Sequence, residues 1–217
     1  TGIGFFSAVV GPDSIVSNLR LSNVQINVPS SQGVGSIAGF LTEGAEITNI
    51  ITNGSISAAR GIGGIVGRLI SDGKILNCEN SINLTSVYNS GGINMGGIVG
   101  AVYYPIIGKK MVIQNCINRG SIQTANNITS EAIYGGIGGL VHGSFADDVD
   151  GKKLNDKQYR AYNHPEEIDK YTTYLLNNTN LGNIADLDLA SWVGSLIGLA
   201  SPTGADVNLT WLVINTP

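Results

Sequence analysis

One heptapeptide constrains this chain more than any other stretch: Gly61-Ile62-Gly63-Gly64-Ile65-Val66-Gly67, which the sequence rewrites several times. Met95-Gly96-Gly97-Ile98-Val99-Gly100 repeats it closely, and Ile137-Gly138-Gly139-Leu140-Val141-His142 repeats it with one change. Val34-Gly35-Ser36-Ile37-Ala38-Gly39 and Val193-Gly194-Ser195-Leu196-Ile197-Gly198 are looser copies, and Ile3-Gly4-Phe5-Phe6-Ser7-Ala8 is a degraded one. The shortest spacing, Gly39 to Gly67, is 28 residues, within the roughly 20 to 50 residues that mark solenoids and related arrays. Laid over one another, the copies define six units, beginning near Gly2, Gly33, Gly61, Asn94, Gly135 and Ser191.

Each unit carries two further signals in a fixed order. The second is Ile47-Thr48-Asn49-Ile50, Ile75-Leu76-Asn77-Cys78 and Ile113-Gln114-Asn115-Cys116, with Val16-Ser17-Asn18-Leu19 as its first copy and the run from Leu175 to Leu181 a blurred fifth. The third is Gly54-Ser55-Ile56-Ser57, Ser81-Ile82-Asn83-Leu84 and Gly120-Ser121-Ile122-Gln123. These elements are short, β-branched and bounded by Gly, Asn or Ser, as strands are. Three short strands per unit predict an all-β chain: a right-handed parallel β-helix of about six coils, one domain over residues 1–217. The competing fold, a β-sandwich, requires antiparallel alternation without a repeated three-strand order.

Stacking would supply the driving force, because one coil cannot bury its own apolar side chains. Ile37, Ile65, Ile98, Leu140 and Leu196 are expected to form one internal ladder, and Ile47, Ile75 and Ile113 another. Each buried side chain would contribute roughly 1.5–3 kcal/mol. Gly64, Gly67, Gly97 and Gly100 are read as structural residues that permit sharp corners and close backbone approach. Asn49, Asn77 and Asn115 are read as one stacked turn position, where Asn tolerates left-handed geometry. The prolines, at 12, 29, 105, 165, 202 and 217, all fall outside the predicted strands, in keeping with their missing amide hydrogen.

Hydrophobic residues make up 42% of the chain and charged residues 13%, too apolar for a disordered chain and too poor in charge for a typical helical one. A net charge of −4 leaves no basic footprint and argues against a nucleic-acid partner. No run of about 18 apolar residues offers a membrane span. The chain opens inside a copy of the repeat, at Thr1-Gly2-Ile3, and so reads as a piece of a longer or processed protein whose other domains are among its partners.

The Gly-Gly-Ile-Val-Gly core, followed by Ile-x-Asn-Cys and Gly-Ser-Ile, resembles the GLUG-motif repeats of bacterial surface proteins. Such repeats occur in adhesin-like proteins and in non-catalytic regions of immunoglobulin-A-cleaving metalloproteases. The resemblance covers Gly33 to about Gln123, and Gly135 to Leu140. It implies an extracellular or cell-surface bacterial protein built on a repeat scaffold, and it implies no catalytic residue.

The repeat stops between about residues 145 and 176. From Asp147 to Lys170, 24 residues hold 12 of the charged side chains, an excursion from the coils with short helices expected at Lys153–Tyr162 and Glu166–Leu176. Insertions on solenoids gather on one side and serve binding. Tyr159, Arg160, Tyr162, His164 and Tyr171 are the candidate ligand contacts here, since tyrosine offers both an apolar face and a hydroxyl. A smaller excursion, Tyr103-Tyr104-Pro105-Ile106-Ile107-Gly108-Lys109-Lys110, is a candidate for the same edge. The function this points to is a non-enzymatic scaffold or adhesion module that binds a host or surface glycan or protein through the excursion.

Other motifs carry less. Gly61-x-Gly63 recurs and feeds strands, whereas phosphate-cradling loops feed a helix. Asp148, Asp150 and Asn155 outline a loose calcium site, the one cofactor the sequence offers; an EF-hand frame set on Gly151 fails, because it puts Ala146 first and Lys157 twelfth. His142 occupies the slot of Gly67 and Gly100 in this alignment and marks a modified corner, while Ser36 and Ser195 fill the slot of Gly64 and Gly97 as small residues. Cys78 and Cys116 share one position in neighbouring coils and are read as buried free thiols. A carbohydrate-active β-helix (a polysaccharide lyase, hydrolase or sugar-binding module) is the alternative; an enzyme of that kind needs converging carboxylates, and Asp186 with Asp188 is the one pair suited to share a strand face.

Overall fold

A computed structural model describes residues 2–88, 92–103, 110–125, 132–142, 173–185, 191–201 and 212–215. Among these residues the regular structure is all β, and the strands pair in parallel. The first pass runs β1 (Phe6–Val10), β2 (Ile15–Ser17) and β3 (Arg20–Gly35); the second runs β4 (Ala38–Thr42), β5 (Glu46–Thr48) and β6 (Ile51–Gly63). The third comprises β7 (Val66–Ile70), β8 (Gly73–Leu76), β9 (Glu79–Ser86) and β10 (Ile93–Gly96). The fourth has β11 (Val99–Tyr103), β12 (Met111–Gln114), β13 (Ile117–Asn118), β14 (Ile122–Thr124) and β15 (Ala132–Gly135). The fifth has β16 (Gly138–His142), β17 (Thr173–Leu176), β18 (Thr179–Asn180) and β19 (Ser191–Gly194), and β20 (Ile197–Ser201) and β21 (Leu212–Asn215) follow.

The first sheet is ordered β1-β4-β7-β11-β16-β20 and the second β2-β5-β8-β12-β17-β21, while the remaining strands form the third. Each pass enters the first sheet, crosses to the second and returns through the third.

The glycine-rich heptapeptide is a corner between sheets rather than one strand. Gly61 to Gly63 end β6, Gly64 and Ile65 turn, and Val66 begins β7. The two arms lie against each other, so closely that a Cβ on Gly63 would sit 1.8 Å from the Val66 oxygen and one on Gly67 2.4 Å from the Gly33 carbonyl carbon. No side chain fits such a gap. The third signal and the next glycine-rich copy also fuse, which makes β3 and β6 far longer than the short strands expected. Pro29 accordingly lies inside β3, next to a register shift between Val28 and Gln32, an irregularity of the kind that accommodates proline.

Two registers differ from those expected. Ile37, Ile65 and Ile98 stack and are buried, but the next rung is Ile137, whose amide donates to the Leu196 oxygen at 2.9 Å. Leu140 instead pairs with Ala101 and Leu199. The chain holds two overlapping frames here, and the earlier one places Gly136 at the corner, where a Cβ would come within 2.3 Å of Asn180 Cγ. Gly139 therefore fills the slot assigned to His142, and His142 ends β16 beside Ser201. In the third sheet Ile56, Leu84 and Ile122 align, and Ile82 stands level with Gly54. Thr173–Leu176 is a strand rather than the end of a helix, because it extends the ladder of Ile113 with Leu175.

Most of the buried apolar side chains form two columns, and Ala101, Ile133 and Leu140 form a third, small cluster packed with Tyr103. One column contains Ile37, Ile65, Ile98 and Ile137 with Ile47, Ile75 and Ile113; the other contains Ile56, Ile62, Leu84, Met95, Ile122 and Tyr134. Where the chain leaves one column for the other, the later corners meet an asparagine, buried at 80 and 118 and half-buried at 180. Cβ atoms on Gly64, Gly97 and Gly136 would lie 2.3, 2.2 and 2.3 Å from Cγ of Asn80, Asn118 and Asn180. These amides bond along the stack: Thr52 Oγ1 donates to Asn80 Oδ1 (3.1 Å), Asn80 Nδ2 to Asn118 Oδ1 (2.9 Å) and Asn118 Nδ2 to Asn180 Oδ1 (2.8 Å). One rung earlier Ser36 replaces the corner glycine, and there the facing position is the smaller Thr52. The Ser36 hydroxyl donates to the Gly64 oxygen.

A second asparagine ladder lies outside. Asn18, Asn49, Asn77, Asn115 and Asn177 all have φ between 53 and 56°. Asn49 Nδ2 donates to Asn18 Oδ1 at 3.2 Å, and Asn115 Nδ2 to Asn77 Oδ1 at 3.0 Å. The next residue inward is Ile50, Cys78, Cys116 or Asn178, all buried. Both thiols are free. The hydrogen bond from Cys116 lowers the Cys78 pKa, whereas burial pushes that of Cys116 well up.

Candidate functional site

The stack is tightly wound except along one rim. The first three passes cross from the first to the second sheet by residues 11–14, 43–45 and 71–72, but later passes cross by 104–110, 143–172 and 202–211. The smaller and larger excursions therefore leave from neighbouring strands, β11 and β16, and rejoin at neighbouring strands, β12 and β17. Lys110 and Tyr174 stand where they rejoin, with the ammonium 5.4 Å from the ring centroid. The third sheet opens on the same side. β6 bends without a break through Gly61 (φ 58°), whereas the next passes are interrupted by 87–92 and 125–131. Because the corner arms run back along each other, the start of β10 and the end of β11 meet, and Asn94 Nδ2 donates to the Tyr103 hydroxyl at 3.2 Å.

Two arginines occupy this rim, one on each side of the heptapeptide. Arg60 is paired with Gln32 in the third sheet, and Arg68 projects from β7 over Gly61, where a Cβ would sit 3.0 Å from its Nε. The Arg60 guanidinium lies 4.1 Å from the Tyr88 ring centroid and donates to the Tyr88 hydroxyl. That of Arg68 lies 5.7 Å from the Tyr103 centroid and donates to Gln32 Oε1 at 3.0 Å. A guanidinium held over a ring is fixed in place and keeps the donors that the ring and its hydroxyl do not take. Neither arginine is paired with a carboxylate among the described residues, where the ion pairs are Lys74–Glu46 and Arg119–Glu79. Arg68 Nε and Asn94 Oδ1 are enclosed without hydrogen-bond partners.

The ligand contacts expected at Tyr159, Arg160, Tyr162, His164 and Tyr171 lie outside the described residues, as do Asp148, Asp150 and Asn155 of the calcium loop and the pair Asp186 and Asp188. The strands that bracket the larger excursion, β16 and β17, place its two roots on the rim. Among the described residues no group of three or more His, Cys, Asp or Glu side chains is arranged to hold a metal ion. The sequence reading passed over Gln32, Arg60, Arg68, Tyr88 and Asn94. A signal was present: Arg60 and Arg68 are charged exceptions bracketing an otherwise apolar motif.

Comparison with known protein families, curated proteins and solved structures finds no match.

Proposed function

We propose that this chain is a right-handed parallel β-helix of about six coils that serves as a non-enzymatic scaffold and adhesion module of an extracellular bacterial surface protein. Its contact surface for a host or surface glycan or protein is the rim. The observation that carries this reading is that the long connections leave from and rejoin neighbouring strands of a stack whose first three passes cross tightly, the arrangement in which solenoids place binding insertions. The three parallel sheets visited in rotation support the coil, and crossovers between parallel strands are right-handed in nearly all proteins. The likeness of the repeat to GLUG motifs supports the surface setting and neighbouring domains as partners.

The test replaces residues 145–172 with a short Gly-Ser bridge and compares both chains on a glycan array and on immobilised host-surface proteins. Cooperative thermal unfolding is expected to persist while binding is lost. Unchanged binding would remove the larger excursion from the contact surface, and loss of cooperative unfolding would make it a cap on the core.

A further inference from the structure

We propose that Arg60 and Arg68 form an anion subsite on the rim that takes the carboxylate or sulfate of an acidic sugar. The inference rests on the adhesion reading and names the class of ligand. Each guanidinium offers five N–H donors, of which Arg60 spends one on the Tyr88 hydroxyl and Arg68 one on Gln32 while its Nε–H is enclosed. Donors on the terminal nitrogens therefore stay available, and planar forks of this kind match two oxygens of a carboxylate or sulfate. No carboxylate of the described residues neutralises either charge, although the chain as a whole is acidic at −4. Two cations that no described carboxylate neutralises, each held over a tyrosine ring, form a preorganised receptor for an anion.

The surroundings favour a sugar over an acidic peptide. The Gln32 side-chain amide supplies a neutral polar group beside the Arg68 guanidinium. Three residues before Arg60 along the third sheet, Asn27, Ser57, Thr85 and Gln123 form an uncharged polar lane across successive strands, exposed or half-exposed. A hydroxyl-rich chain laid along the stack can exchange hydrogen bonds with that lane. An acidic peptide would need backbone partners, and strands paired on both sides, as β6 and β9 are, do not offer them.

The test is calorimetric titration of the full chain with a short oligogalacturonate, a heparin-derived oligosaccharide, a neutral malto-oligosaccharide and a polyglutamate peptide. One or both acidic sugars are expected to bind, more weakly as salt rises, and the one that binds assigns carboxylate or sulfate. Arg60→Gln and Arg68→Gln should each weaken binding by about tenfold or more, and Arg68→Lys should not restore it, because an ammonium lacks the planar fork. Thermal unfolding of each variant accompanies the titration, and Arg60→Gln decides the matter where an Arg68 variant unfolds. Absence of binding by both acidic sugars, full affinity in the Arg60→Gln variant, or equal affinity for polyglutamate would overturn the proposal. The chain bridged across 145–172 separates the two readings. Acidic-sugar binding that survives there but fails with Arg60→Gln keeps the subsite and removes the excursion; binding of neutral or protein ligands that needs only the excursion does the reverse.

Discussion

The two asparagine ladders occupy opposite environments and do different work. Asn49, Asn77 and Asn115 are exposed, and their backbone carries the role: each holds a φ near 55° that ordinary L-residues adopt at a cost. Asn80 and Asn118 are buried, and their side chains carry the role. Asn118 accepts from Asn80 Nδ2 and from the Gly120 amide, and donates to Asn180 Oδ1 and to the Gly120 oxygen. The outer ladder is a conformational device that water could replace in part. The inner one is a closed hydrogen-bond chain where two apolar columns touch, and a gap in it strands polar groups away from water.

Removing the inner ladder should therefore have the largest effect. Asn118→Ala leaves the Asn80 amide and both Gly120 backbone groups without partners and takes from the Asn180 oxygen one of its two donors, the other being the Gly182 amide, and unfolding by urea is expected to show a loss of about 4 kcal/mol or more. A loss near 1 kcal/mol would mean that water enters the waist and that the two ladders are alike. Next comes the coupling between amide and corner. Gly97→Ser should be severely destabilising alone, since its Cβ would approach both Asn118 Cγ and the Gly136 oxygen to 2.2 Å. Combined with Asn118→Thr it recreates the Ser36–Thr52 rung, and the pair should cost about 1–2 kcal/mol less than the sum of the single changes. Strict additivity would show that the facing side chain does not decide where glycine is required.

The outer ladder should respond more mildly and to a different property. Asn77→Ala is expected to cost about 1 kcal/mol, and Asn77→Gly to be nearly neutral, because only the left-handed backbone must be kept. If glycine cost as much as alanine, the amide–amide bonds would matter more than φ.

The smallest effect comes from pH. Burial raises the Tyr134 pKa above its ordinary value of 10.0. The unfolded chain then ionises first, so this contribution to stability is intact below pH 10 and falls as pH rises above it. Unfolding midpoints followed across that range should decline less in Tyr134→Phe. Equal declines would place the alkaline sensitivity elsewhere.

Much of the fold was legible because it repeats. A left-handed asparagine followed by an inward side chain leaves the same short signature in each coil, at Asn49, Asn77 and Asn115. The rim was half legible. The composition of 147–170 marked an excursion, but Arg60 and Arg68 are single residues that become neighbours of Tyr88 and Tyr103 only when separate passes stack. Cys78 and Cys116 were recognised as equivalent because they sit inside the repeat.

By itself the sequence determined the period, the strand content and the outer turn, since each rests on interactions within a few residues of chain. Tertiary structure alone decided the register of the fifth pass and the roles of Asn80, Asn118 and Asn180. Gly135-Gly136-Ile137 and Gly138-Gly139-Leu140 are equally good frames when read along the chain. The first frame puts glycine at both tight positions, Gly136 against Asn180, 44 residues further on, and Gly139 against the Gly100 oxygen, where a Cβ would come within 2.5 Å and where the second frame would put His142. Steric exclusion at a corner acts across space, and no local pattern encodes which distant side chain will stand opposite a glycine.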